Sequence, residues 1–109
     1  MSDQAYKKLH LALSSHDIQA SIRDYSQRLG CKPQVIVKDE YALWRTSSLN
    51  LSVRQDITTP AGQLRHLGFE DAQALEFSQD TDCNGILWER FSAKQQRDEI
   101  TELWPDAID

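Results

Sequence analysis

The chain has 109 residues, enough for one hydrophobic core and too few for two. Hydrophobic residues at 39% and charged residues at 27% suit a globular chain and exclude a disordered one. A net charge of -5 with no Lys/Arg cluster argues against a nucleic-acid partner, since a phosphate backbone needs a basic face.

No apolar run reaches membrane-spanning length, and Met1-Ser2-Asp3-Gln4 does not open like a signal peptide, so the expectation is a cytoplasmic protein with no membrane partner. Cys31 and Cys83 stand 52 positions apart without metal-type spacing and read as free thiols.

In chain order, residues 7–14 alternate as a strand. Ser15 and Asp17 then offer caps to a helix whose stripe is Ile18, Ile22, Tyr25 and Leu29. Gly30 closes that helix and Pro33 prevents its continuation. Strands follow at 34–37, 41–45 and 49–54, giving β-α-β-β-β over residues 7–54. A polar loop containing Thr59-Pro60-Ala61-Gly62 leads to a strand in Gln63-Leu64-Arg65-His66-Leu67-Gly68-Phe69-Glu70. Residues 71–77 suggest a short helix and 78–84 polar turns, before a strand over Gly85-Ile86-Leu87-Trp88-Glu89-Arg90-Phe91. Ser92 and Gln95 form a capping box for a last helix over 93–104, with Ile100, Leu103 and Trp104 expected on its buried side.

Alternation places His10, His66 and Glu89 at mid-strand positions, each sharing a face with apolar or small neighbours. Two imidazoles and a carboxylate suit one divalent metal (Fe, Mn, Ni, Co or Zn) and leave coordination positions open for substrate or dioxygen. Structural zinc would instead take four protein ligands, usually with cysteine. His16, in the cap segment, is expected in solvent. Tyr41, Trp44, Asn50 and Ser52 are candidates to line the same cup, and Tyr41 is the candidate general base.

These residues resemble the vicinal oxygen chelate superfamily of glyoxalase I, bleomycin-resistance proteins, extradiol dioxygenases and fosfomycin-resistance enzymes. The similarity runs through Lys8-Leu9-His10-Leu11-Ala12-Leu13, the helix from Asp17 to Tyr25, Arg28-Leu29-Gly30-Cys31-Lys32-Pro33, and Arg65-His66-Leu67-Gly68-Phe69. Asp82-Cys83-Asn84-Gly85-Ile86-Leu87-Trp88-Glu89 is similar to the family's closing D-P-x-G-N-x-W-E strand, somewhat altered. Tyr41-Ala42-Leu43-Trp44 with Leu49-Asn50-Leu51-Ser52-Val53 is similar to the cadmium-induced and carbon–arsenic lyase branch.

The resemblance implies an α+β domain: a βαβββ module at 7–54, a second module at 63–91 shortened to two strands, and a C-terminal helix at 92–104. Only 22 positions separate His66 from Trp88, too few for a second complete module. The resemblance implies metal ligation by His10, His66 and Glu89, and dioxygenase- or lyase-like chemistry on a small oxygen-bearing molecule. It also offers a non-catalytic, resistance-type binding protein that uses a dimer groove. The branch's paired thiols are missing, so arsenic-lyase activity is not carried over. A bare sheet edge left by shortening predicts a homodimer, with the terminal helix as a second means of covering the gap.

Overall fold

The computed structural model describes residues 7–107. Its elements are β1 (Lys7–Ser15), α1 (Ile18–Leu29), β2 (Val35–Val37), β3 (Tyr41–Arg45), β4 (Leu49–Gln55), β5 (Leu64–Asp71), β6 (Ser78–Thr81), β7 (Leu87–Phe91) and α2 (Ala93–Leu103). The fold is α+β: one mixed sheet of seven strands in the order β2-β3-β4-β1-β5-β7-β6, with two helices. No helix among the described residues is long and apolar enough to cross a membrane.

The first half forms as its residues dictate. Asp17 caps α1 by accepting from the Ala20 amide, and Gly30 ends it at φ 74°, a left-handed conformation that costs glycine little. Ile22, Tyr25 and Leu29 of α1 pack with Ile18 on Ala42, Trp44, Leu51 and Val53 of the sheet, and Cys31 joins the rim of that cluster.

The second half departs from expectation in two ways. The expected helix at 71–77 is absent: Asp71 ends β5 and residues 72–77 are turns and bends, started by the Asp71 carboxylate, which accepts from the Gln73 amide. The polar segment beyond them contains a third strand, β6, antiparallel to β7. The halves are therefore topologically alike. In each, the opening strand lies parallel to its closing strand (β1 with β4, β5 with β7), and an antiparallel strand (β3 or β6) flanks the latter. The second half lacks the counterparts of α1 and β2. The halves join through the antiparallel pair β1–β5.

That repeat fixes the positions that matter. His10 lies two residues before Ala12, which pairs with Ser52; His66 lies two before Gly68, which pairs with Glu89. Ser52 thus occupies in the first half the place that Glu89 occupies in the second. The pair of modules supplies three metal-type ligands and one hydroxyl.

α2 lies on the sheet face opposite α1. Its capping box is complete, with the Ser92 side chain accepting from the Gln95 amide and the Gln95 side chain accepting from the Ser92 amide. Ile100 packs against Val35, Tyr41 and Leu43 of the first half, and Gln95 donates to the Ala74 carbonyl of the second at 3.1 Å, so the helix crosses the cup that the two halves share. The residues buried on α2 are Gln96 and Ile100, whereas Leu103 is half exposed. Trp104 caps the helix and lies 5.0 Å from the Tyr41 ring, centroid to centroid.

Candidate metal centre

The cup between the sheet and α2 holds His10, His66 and Glu89 on three neighbouring strands, β1, β5 and β7. One ligand atom from each lies within 4.8 Å of the other two, and the three could hold a metal ion. His10 Nε2 is 3.0 Å from His66 Nε2, which in turn is 3.1 Å from Glu89 Oε1. Two ligands bonded at ~2.1 Å and set at right angles would stand ~3.0 Å apart, so these edges suit adjacent positions around one ion.

Elements outside the trio fix the His10 tautomer. Arg45 grips Glu70 with two bonds, Nε to Oε1 at 2.8 Å and Nη2 to Oε2 at 2.6 Å, which keeps that carboxylate an acceptor. Glu70 Oε1 therefore takes the amide nitrogen of Asn50 at 2.8 Å and turns Asn50 Oδ1 toward His10. His10 Nδ1 then donates to Asn50 Oδ1 at 2.8 Å and to the Asn50 carbonyl at 3.2 Å. This leaves the lone pair of Nε2 directed at His66 and the centre, as ligation requires. Burial pushes the His10 imidazole below its ordinary value, with the Asn50 bond opposing, and so favours the neutral ring that binds metal. Gln96 completes the network by exchanging two amide bonds with Asn50 at 2.8 and 3.2 Å, which ties α2 to the site.

Glu89 is placed by the turn before it. Asp82 accepts from the amides of Asn84 and Ile86 with Oδ1, and from the Trp88 indole with Oδ2 at 2.7 Å. Gly85 takes φ 82° in that turn, and Trp88 rests on Phe69 across the sheet. Asp82, Gly85 and Trp88 thus act together to set the residue that follows. Gly68 permits the approach, since a Cβ there would stand 2.1 Å from the Glu89 carbonyl oxygen.

The other candidates divide. Ser52 and Tyr41 both line the cup. Burial pushes the Tyr41 phenol far above its ordinary value, with Ser52 opposing, so at neutral pH it is a hydrogen-bond donor rather than a base. Asn50 is fully buried and acts behind His10 instead of lining the space. Trp44 is not in the cup. It lies on the α1 side, where its indole donates to Ser26 at 3.3 Å. His16 is exposed, and Cys83 is an exposed free thiol.

Sequence reading missed Arg65, Arg54, Gln96 and Glu99. Simple alternation turns Arg65 away from the cup. The β1–β5 register instead shifts between Ala12–His66 and Leu13–Leu64, leaving Arg65 as an extra residue whose side chain lines the cavity. Burial chiefly raises the Glu99 carboxyl, and the charge of Glu89 adds to the effect.

No family model matches the chain, and no curated protein matches it. A solved structure is similar, the crystal structure of a hypothetical protein from Staphylococcus aureus, with a TM-score of 0.54 at 9% identity. The likeness covers 80% of this chain and 34% of that one, so this chain spans about a third of its neighbour's length. At that identity it shows the fold alone.

The Glu70 pair has a pH signature. Burial works to raise the Glu70 carboxyl, but hydrogen bonds from Arg45 and Asn50 and the charges of Arg45 and Lys8 outweigh it and hold the group low. The unfolded chain then takes up this proton at higher pH than the folded one, so stability increases with pH across that interval. The contribution is full above the ordinary value of 4.5 and is lost as pH falls through the folded value. Glu70→Gln is expected to lower neutral-pH stability by about 1–3 kcal/mol and to flatten the acid limb of urea midpoint against pH. An acid limb as steep as the wild type's would remove Glu70 from the cause.

Proposed function

We propose that the chain is a shortened vicinal-oxygen-chelate protein that binds one divalent metal through His10, His66 and Glu89. The observation that carries this reading is the pair of 3.0 and 3.1 Å edges that meet at His66 Nε2. The repeated strand order, with a ligand on the opening strand of each half and on the closing strand of the second, supports it.

A three-ligand set leaves positions open, and an open Fe, Mn, Ni, Co or Zn ion would supply Lewis acidity toward a bound oxygen. This chain's own residues would orient that ligand and restrict its size. The cavity is about 130 Å³, below the ~300 Å³ at which pockets for drug-sized ligands begin, so the molecule handled is a small one. Dioxygenase- or lyase-like turnover is the activity proposed. Homodimerisation belongs to the same reading, supported by the exposed Leu9 and Phe69 on the α1 side of the sheet.

The test is metal content by mass spectrometry on protein purified without a histidine tag. Near-stoichiometric divalent metal is expected in the wild type. His66→Ala and Glu89→Ala should weaken it about 100-fold or more, since even outer-shell partners cost about 10–100-fold. A wild type that takes up no metal after reconstitution, beside folded variants, would sink the reading.

A further inference from the structure

The cavity holds two arginine forks whose donors its own hydrogen bonds do not use. Arg65, brought inward by the register shift, and Arg54, next along β4 on the side of Asn50 and Ser52, both line it. Among the described residues no side-chain hydrogen bond or ion pair holds the Arg65 guanidinium, on which the charges of Glu89 and Asp56 act only from farther off. Arg54 lies over the Trp104 ring, its guanidinium carbon 5.2 Å from the centroid, and forms no ion pair among the described residues. Two carboxylates share the space, Glu89 and Glu99. Glu89 is engaged by His66, and among the described residues neither carboxylate comes within ion-pair distance of either arginine, though their charges act on each other across the cup. Half-buried guanidinium groups are normally paired, because their forks lose water without compensation otherwise.

Two arginines against two carboxylates leave the cup near neutral. A divalent ion at the trio adds two positive charges that no residue lining the cup offsets. With the metal in place, the charge balance asks for an anion, and the arginines provide a fork suited to carboxylate oxygens. Tyr41 adds a hydroxyl donor on the same wall.

We propose that the cup binds a small organic carboxylate, gripped by Arg65 and Arg54 while a second oxygen of the same molecule reaches the metal held by His10, His66 and Glu89. The seat rests on the metal reading above and adds the substrate class: a 2-hydroxy or 2-oxo acid of a few non-hydrogen atoms. Metal and anion then strengthen each other's binding by the same factor.

The probes are glycolate and its neutral, isosteric amide, glycolamide, titrated into Co(II)-loaded protein and followed by the visible Co(II) spectrum. Glycolate is expected to change the spectrum and tighten Co(II) binding, with glycolamide about tenfold weaker or worse. Arg65→Gln should take up Co(II) at least as well as the wild type, yet bind glycolate about tenfold more weakly. Arg54→Gln serves if circular dichroism shows the first variant unfolded. Equal glycolate affinity in a folded arginine variant, or equal binding of glycolate and glycolamide, overturns the carboxylate seat and leaves the metal site standing. If the wild type takes up no Co(II), the metal reading fails separately. Glycolate is then titrated into metal-free protein, where guanidinium NMR shifts lost in Arg65→Gln support the arginine seat, and an absence of such shifts overturns it.

Discussion

Gly68→Ala is expected to destabilise the protein by about 3 kcal/mol and to abolish stoichiometric metal binding in whatever remains folded. The reason is backbone, not side chain. Gly68 pairs with Glu89 between the parallel strands β5 and β7, and an added Cβ would sit 2.1 Å from the Glu89 carbonyl oxygen and 2.9 Å from its carbonyl carbon and amide nitrogen. A flexible side chain could swing aside; a carbonyl inside a strand ladder cannot without breaking its pairing. The strand that must retreat is the one that carries Glu89, so the clash falls on a ligand position. Urea denaturation with Co(II) titration checks both halves of the expectation. By contrast, Ala12, the counterpart of Gly68 in the first half, already carries a Cβ beside Ser52 and is fully buried. A Gly68→Ala protein as stable as the wild type would show that β5 and β7 can part without cost.

Much of the first half was legible, because its signals are strong and local. The strand–helix–strand order over residues 7–54 appears with boundaries close to those expected, and Asp17, Gly30 and the Ser92–Gln95 box perform the capping roles their residue types suggest. The trio was legible too, since a two-residue period reveals which face a strand residue takes. The same period parts Trp44 from Tyr41: three positions along one strand put them on opposite faces, Trp44 toward α1 and Tyr41 toward α2. β6 offered no such signal. Ser78, Gln79, Asp80 and Thr81 are all exposed, and only backbone pairing with β7 makes them a strand. Arg65 was hidden by a register shift that arises between two strands and is written in neither alone. Gln96 was hidden because its reason for burial is Asn50, 46 positions earlier.

The terminal helix was expected as one means of covering the gap left by shortening, and α2 does lie over the cup. Once α2 crosses it, access narrows to a small cavity whose walls include Gln95, Gln96 and Glu99 of the helix itself. The helix therefore restricts ligand size, while Gln96 couples its position to the hydrogen bonds that orient His10. A change in how α2 sits would be felt at the ligand through Asn50.

Asn50→Ala is accordingly expected to cost about 3 kcal/mol of stability and to weaken metal binding by about 10–100-fold. The stability loss follows from what is stranded. Gln96 loses both of its amide bonds while remaining buried, and Glu70 loses one of its donors, though Arg45 still holds it. His10 Nδ1 keeps only its 3.2 Å bond to the residue-50 carbonyl, which survives any side-chain change, so the imidazole is more weakly oriented rather than freed. Asn50→Asp separates the two effects. It retains an acceptor for His10, and a stronger one, but faces Glu70 with a second carboxylate. Stability should fall while metal affinity per folded molecule is held or raised. Denaturation midpoints with a Co(II) competition assay on both variants distinguish these outcomes. Wild-type metal affinity in Asn50→Ala would mean that the Arg45–Glu70–Asn50 chain braces the fold without setting the His10 tautomer.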